Sequence, residues 1–156
     1  MRALGAAFYD AMSLAAFIER FGTMDFSIVG EGHYFLAASG DGVVLGSGGW
    51  SRQMPGYQHE ARQALPDPRG ATVRGVFTDP AFARQGIGRA IVRQVEIDAA
   101  EHGIMRLELT ATLSGVAFYE ALGYATVERR SIDLGNGLSF GCADMVKSLA
   151  AFAAAA

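Results

Sequence analysis

Apolar and polar positions recur along this chain with two different periods, and the switches between them outline its elements. Leu14, Phe17, Ile18 and Phe21 follow Ser13 at helical spacing and Gly22 closes the run, which predicts an amphipathic helix. A shorter apolar stretch from Met24 to Val29, ended by Gly30, predicts one or two further helical turns. The period then changes to that of strands. Residues 33–39 and 43–50 flank Gly40-Asp41-Gly42 and read as a β-hairpin, and residues 71–78 read as a third strand. Between them residues 51–70 form a polar connection with Pro55, Gly56, Pro66 and Pro68. A loop that long inside a compact domain is more often functional than idle, which makes it a candidate substrate lid.

Further on, Ile87, Ile91, Val95 and Ala99 repeat every four residues, and Gly103 ends that helix ahead of an apolar strand at 104–110. Strand, helix and strand form a βαβ unit, whose crossover is expected to be right-handed and its strands parallel. A helix at about 115–122 stops at Gly123, and residues 124–134 and 138–148 pair across Gly135-Asn136-Gly137. The class is therefore α/β (α+β): a mixed sheet with a central βαβ unit and flanking helices. No repeat or linker divides it, so residues 1–149 are expected to be one domain, with 150–156 a frayed alanine-rich tail.

A length of 156 residues with 51% hydrophobic content suits a single core. The net charge of −3 offers no basic field for nucleic acid, and no apolar run approaches the roughly 20 residues that span a bilayer. Neither partner is expected. Cys142 is the only cysteine, so no internal disulfide forms and no Cys/His cluster has metal-ligand spacing; with no signal-peptide pattern at the start, a reducing cytoplasm fits.

The chemistry concentrates in Thr78-Asp79-Pro80-Ala81-Phe82-Ala83-Arg84-Gln85-Gly86-Ile87-Gly88-Arg89, where a strand, a glycine loop and a helix start meet. Gly86 and Gly88 let backbone amides approach a ligand at the point where a helix begins with unpaired N–H groups, a combination that suits phosphate. Arg84, Arg89 and Arg93 crowd the first turns while Glu96, Asp98 and Glu101 come later, the reverse of what the helix dipole favours without a ligand. An external anion resolves that conflict. Taken alone, the loop reads equally well as a tight strand-to-helix turn with solvated arginines.

Three segments decide between those readings: Val76-Phe77-Thr78-Asp79-Pro80, then Arg84-Gln85-Gly86-Ile87-Gly88, then Phe118-Tyr119-Glu120-Ala121-Leu122-Gly123-Tyr124. In order and spacing they resemble the GNAT N-acetyltransferase superfamily, over about residues 30–148. The resemblance implies a mostly antiparallel twisted sheet and acetyl-coenzyme A as the acetyl donor, with an amine as acceptor and no metal. It implies that the main chain of Val76, Phe77 and Thr78 pairs with pantetheine and polarises the thioester carbonyl, and that the amides of Arg84, Gln85, Gly86, Ile87, Gly88 and Arg89 hold the pyrophosphate. Phe118 and Ser114 are further cofactor contacts by the same resemblance, Ser114 standing where many relatives carry Asn. From its own surroundings Ser114 reads as a helix N-cap. Where the family usually opens the loop with Gln or Arg this chain has Ala83, which removes one side-chain contact and leaves the amides in place.

Expelling a thiolate calls for a proton donor, and a phenol with a pKa of about 10 stays protonated at neutral pH. Tyr119 matches the family's acid; without the motif it reads as an aromatic packing residue beside Phe118. No motif places the general base. Glu31, His33, His59, Glu60 and Glu108 are candidates, each equally readable as a solvated or structural polar group, with a water chain as the alternative. His102, next to Gly103, reads as a helix cap. Cys142 reads as a buried small residue, and Trp50 and Tyr57 read either as core aromatics or as stacking partners for an acceptor. Gly46-Ser47-Gly48-Gly49 inside a strand marks a bulge or a close backbone approach that shapes the acceptor pocket.

The family opens with a strand before its first helix, whereas Met1-Arg2-Ala3-Leu4 leads almost at once into one, so the first strand is expected to be missing. Residues 33–39 then form an open edge, and this edge or the terminal hairpin is expected to join a second copy in a homodimer. Three functions follow: an N-acetyltransferase acting by direct attack of a primary amine, a noncatalytic acyl-coenzyme A sensor, and a dinucleotide-binding domain. The last lacks the repeated βαβ order it needs.

Overall fold

Asp10 sets the first helix. In the computed structural model, which describes residues 8–22, 27–53 and 69–149, its carboxylate accepts the Ser13 amide at 2.8 Å, so helix α1 spans Ala11–Phe21 and begins earlier than its apolar stripe. Gly22, at φ +71°, closes it by donating to the Ile18 carbonyl. A single turn, α2 (Ser27–Gly30), follows. Residues 1–7, 54–68 and 150–156 lie outside the described residues, as do 23–26. With them go most of the lid segment and the start of the Met24 helix, together with Tyr57, His59, Glu60 and the alanine tail.

Six strands form one sheet in the order β1-β2-β3-β4-β6-β5. They are β1 (Tyr34–Ala38), β2 (Val44–Ser51), β3 (Gly70–Thr78), β4 (Arg106–Thr112), β5 (Ala125–Gly135) and β6 (Leu138–Ser148). Every neighbouring pair is antiparallel except β3 and β4. Helix α3 (Ile87–Glu101) makes the crossover between those two, which realises the predicted βαβ unit. The strand β4 sits two residues later than its apolar run, because Ile104 belongs to the turn and its amide bonds the Ala99 carbonyl. No strand precedes Tyr34 among the described residues, and none of their helices is long and apolar enough to cross a membrane.

The alternation along β4 divides its side chains between two layers. Leu107, Leu109 and Ala111 meet Val92 and Val95 of α3 in the larger core. The opposite face of β5 and β6 packs on α1, where Leu14 and Phe17 meet Ile132, Phe140 and Cys142 and the rings of Phe17 and Phe140 stack at 4.0 Å. The hairpin β5–β6 turns through Asn136 (φ +53°) and Gly137 (φ +74°), a two-residue turn whose twist matches the flanking strands.

The parallel pair is short. Only Gly70↔Arg106, Ala71↔Leu107 and Thr72↔Glu108 are in register, after which the two strands part. Opposite Gly48 of β2, β3 carries two residues, Gly75 and Val76, and this bulge at Gly75 (φ +62°) bends the strand away from β4. Two glycines of β2 let the helix lie close to the sheet: a Cβ on Gly48 would stand 2.6 Å from Ile91 Cγ2, and one on Gly46 2.8 Å from Ile91 Cδ1. Gly49 serves the other neighbour, since a Cβ there would meet the His33 carbonyl oxygen and the Tyr34 ring. Gly48→Ala is expected to destabilise the fold by about 1–3 kcal/mol through overpacking, seen as a lower urea midpoint.

Candidate active site

Beyond Thr72, β3 is no longer in register with β4, so the wedge between the two strands is lined on one side by the main chain of Val76, Phe77 and Thr78. At its mouth Asp79 caps the short 3-10 turn Pro80–Phe82 by accepting the Ala81 amide at 2.9 Å. The chain then takes two left-handed residues, Arg84 (φ +67°) and Gly86 (φ +84°), and enters α3 with Gly86 as N-cap. No side chain caps that helix and no acid lies in its first turn. Its leading N–H groups and positive dipole end are therefore directed at whatever occupies the loop. Arg84, Gln85, Gly86 and Arg89 are exposed, whereas Ile87 and Gly88 are partly covered. The two glycines have different reasons: Gly86 has open space around it and needs its positive φ, while a Cβ on Gly88 would lie 3.2 Å from Phe118 Cζ. Gly88 thus brings Phe118 of helix α4 (Val116–Glu120) against the start of α3.

Tyr119, partly buried on α4, stands edge-on to Phe118 (5.0 Å between ring centres) and to Tyr124 (5.6 Å). The turn that carries it is held from across the sheet. Tyr9 donates to the Gly141 carbonyl at 2.6 Å and accepts the Leu113 amide at 2.6 Å, a half-buried bridge that no periodicity predicts and whose phenol is pushed up by burial. Ser114 is not an N-cap. The 3-10 turn Leu113–Gly115 runs straight into α4, leaving Gly115 at the junction in helical conformation, and Ser114 instead shares a hydrogen bond with the Thr112 hydroxyl at 3.0 Å.

Sequence comparison decides what such a wedge, glycine turn and tyrosine helix belong to: the pattern of the Acetyltransferase (GNAT) family matches residues 6–124. The chain belongs to the GNAT family. It is 32% identical over 101 residues to the N-alpha-acetyltransferase RimI of Mycobacterium tuberculosis, a stretch that takes in 63% of this chain and 55% of that protein, so the chain spans about half the length of this relative. Among solved structures it resembles a GCN5-related N-acetyltransferase from Rhodopseudomonas palustris (TM-score 0.64, 19% identity, 93% of this chain and 80% of that one). It also resembles a phosphinothricin acetyltransferase from Sinorhizobium meliloti in complex with acetyl-CoA (TM-score 0.61, 19% identity, 86% and 68%). Those likenesses bear out the mixed, mostly antiparallel fold.

Within this GNAT chain the described base candidates are all engaged. Glu31 accepts the Ser51 hydroxyl at 2.9 Å, His33 meets Asp98 at 2.9 Å, and Glu108 pairs with Arg106 at 2.9 Å. Trp50 is a core residue, 1% exposed, with Nε1 donating to Asp98 at 2.7 Å. Cys142 is buried and its thiol is pushed up to about 11 by burial, which leaves it without nucleophilic character.

Two buried polar networks had no counterpart among the predicted site residues. On the α1 side of the sheet Arg130 grips Asp144 bidentately, Nε to Oδ2 at 2.8 Å and Nη2 to Oδ1 at 3.2 Å, and Thr110 donates to the same carboxylate at 2.6 Å. On the other side Lys147 reaches into the core to Glu96 at 2.7 Å and to the Leu122 carbonyl at 2.7 Å. Tyr124 lies beneath that lysine, 2% exposed, its hydroxyl close to the Glu96 carboxylate but outside hydrogen-bonding geometry among the described residues; burial, then the neighbouring Glu96 and Tyr119, raise its phenol far above the usual range. A buried hydroxyl without a hydrogen bond loses its hydration and gains nothing in return, a net cost to stability. Tyr124→Phe is therefore expected to leave the melting temperature unchanged or to raise it, as calorimetry would show.

Proposed function

We propose that this protein is an N-acetyltransferase that moves the acetyl group of acetyl-coenzyme A to a primary amine by direct attack. The observation that supports this reading is the wedge between β3 and β4, where β3 leaves its parallel pairing and ends beside the uncapped start of α3, with Phe118 of α4 against Gly88. In this reading Val76, Phe77 and Thr78 pair with pantetheine and one of their amides polarises the thioester carbonyl, a fixed dipole that needs no reorganisation during reaction. Amides from Arg84 to Arg89 hold the pyrophosphate, with Phe118 and Ser114 as flanking contacts. The amine nitrogen attacks the carbonyl carbon and gives up a proton to water. A C–N bond forms, the C–S bond breaks, and Tyr119 gives its proton to the departing thiolate.

The identity to a protein named as an N-alpha-acetyltransferase makes a peptide α-amine the first acceptor to assay, ahead of small-molecule amines. The lone, buried Cys142 suits a reducing compartment, and we place the enzyme in the cytoplasm. The edge strand β1, with Leu36 63% exposed, is the surface we assign to pairing with a second copy; a monomer in sedimentation at micromolar concentration removes that assignment. The central test is titration calorimetry with acetyl-coenzyme A and with NAD, followed by thiol release over peptides and amines. Binding of acetyl-coenzyme A alone, with turnover, is the expected result. Binding without turnover over a broad panel reduces the protein to a sensor, and no binding overturns the reading of the glycine turn.

A further inference from the structure

A second polar cluster stands at the other end of α3, roughly 16 Å along the helix from the glycine turn at 1.5 Å per residue. Asp98 and His102 are one turn apart there, and His33 reaches them from just before β1. Asp98 sits between two imidazoles: His33 Nδ1 is 2.9 Å from Oδ2, and His102 Nδ1 is 3.7 Å from Oδ1. One ligand atom from each of the three residues lies within 4.8 Å of the others.

Those spacings suit an ion. Nitrogen and oxygen ligands held about 2.0–2.2 Å from a tetrahedral zinc stand roughly 3.3 Å apart, and the imidazoles lie 2.9 Å from one oxygen of Asp98 and 3.7 Å from the other, on either side of that separation. The surroundings suit one too. Ligating carboxylates are themselves held by hydrogen bonds, and Trp50 Nε1 donates to Asp98 Oδ2 at 2.7 Å. The Trp50 ring stacks on His33 at 4.1 Å and the His102 ring meets His33 edge-on at 4.5 Å, so both imidazoles are oriented by packing. His33 and Asp98 are mostly buried while His102 is 48% exposed, which leaves a way in for an ion and room for water ligands. His102 Nδ1 also lies 2.8 Å from the Asp98 carbonyl oxygen, the capping role read from the sequence, a bond that ligation would replace.

We propose that His33, Asp98 and His102 form a site for a divalent first-row transition metal, apart from the acetyl-transfer site. Two imidazoles and a carboxylate are a donor set that zinc accepts. The ion ties the end of α3 to the start of β1, and Trp50 of β2 closes one side. Since 65 residues separate His33 from Asp98, no local spacing signals the site.

The test is calorimetric titration of the tag-free full chain with ZnCl2, read beside thermal melting. One equivalent is expected to bind and to raise the melting temperature by roughly 5 °C. His33→Ala and His102→Gln are expected each to weaken binding by more than tenfold, and Asp98→Asn by about 10–100-fold. His59→Ala, which removes the remaining histidine of the chain's 3, is expected to leave binding unchanged. Circular dichroism checks that each variant folds, and half-exposed His102 makes its variant the one least prone to unfold. Absence of zinc binding overturns the proposal, as does binding that survives both His33→Ala and His102→Gln; the cluster is then only a cap that pins the helix end.

Discussion

Tyr119→Phe is expected to lower turnover by about 10²–10⁴-fold while acetyl-coenzyme A binds almost as before. The substitution removes one oxygen and keeps the ring, so the edge-on contacts with Phe118 and Tyr124 that hold α4 remain. The glycine turn and the β3 main chain are untouched, so under the proposed reading the donor meets the same amides. What that reading loses is the proton for the departing thiolate, an effect on kcat with little on affinity. Thiol release under saturating donor and calorimetric affinity, measured together, separate the two. An unchanged rate would make Tyr119 a packing residue and assign the proton to water.

The largest effect on stability is expected at the other network. Asp144→Ala should destabilise the protein by about 3–5 kcal/mol, because it strands a guanidinium that lies largely out of water and removes the acceptor of Thr110. Replacing both partners, Arg130→Met with Asp144→Leu, should recover most of that loss, since a buried ion pair is often matched by well-packed apolar residues. Urea unfolding of the two variants gives the comparison. A small loss in Asp144→Ala would mean that water reaches Arg130 once the carboxylate is gone.

The elements of this fold were legible because each carries its own periodicity and stops at its own glycine or turn. The six strands, α1 and α3 follow from residues close together in the chain, and so does the glycine turn, whose chemistry is built from neighbouring backbone. What escaped prediction depends on register. Continuing the pairing Gly135↔Leu138 without interruption would set Arg129 against Asp144 and send Arg130 to the other face. The irregularity between Asp133 and Gly135 shifts the ladder by one residue, so Arg130 comes to oppose Cys142 on the face that carries Asp144. Nothing local announces that bulge. Tyr9 escaped for a similar reason, since its partners lie 104 and 132 residues away. Ser114 was misjudged because a 3-10 turn fused to a helix needs no separate cap.

The brevity of the parallel pairing has a mechanical consequence. Strands β1 to β3 form one antiparallel half-sheet and β4 to β6 another, each closed by pairings between sequence neighbours or near neighbours. Among the described residues the backbone seam between them is Gly70↔Arg106, Ala71↔Leu107 and Thr72↔Glu108, preceded by the Met105 amide donating to the Arg69 carbonyl and backed by the side chains of one shared core. Such a seam is the natural axis for the two halves to breathe about. A ligand lying along β3 beyond Thr72, as proposed, would lengthen it like a short extra strand. Occupancy should then slow amide exchange on both half-sheets at once, including strands that the ligand never touches.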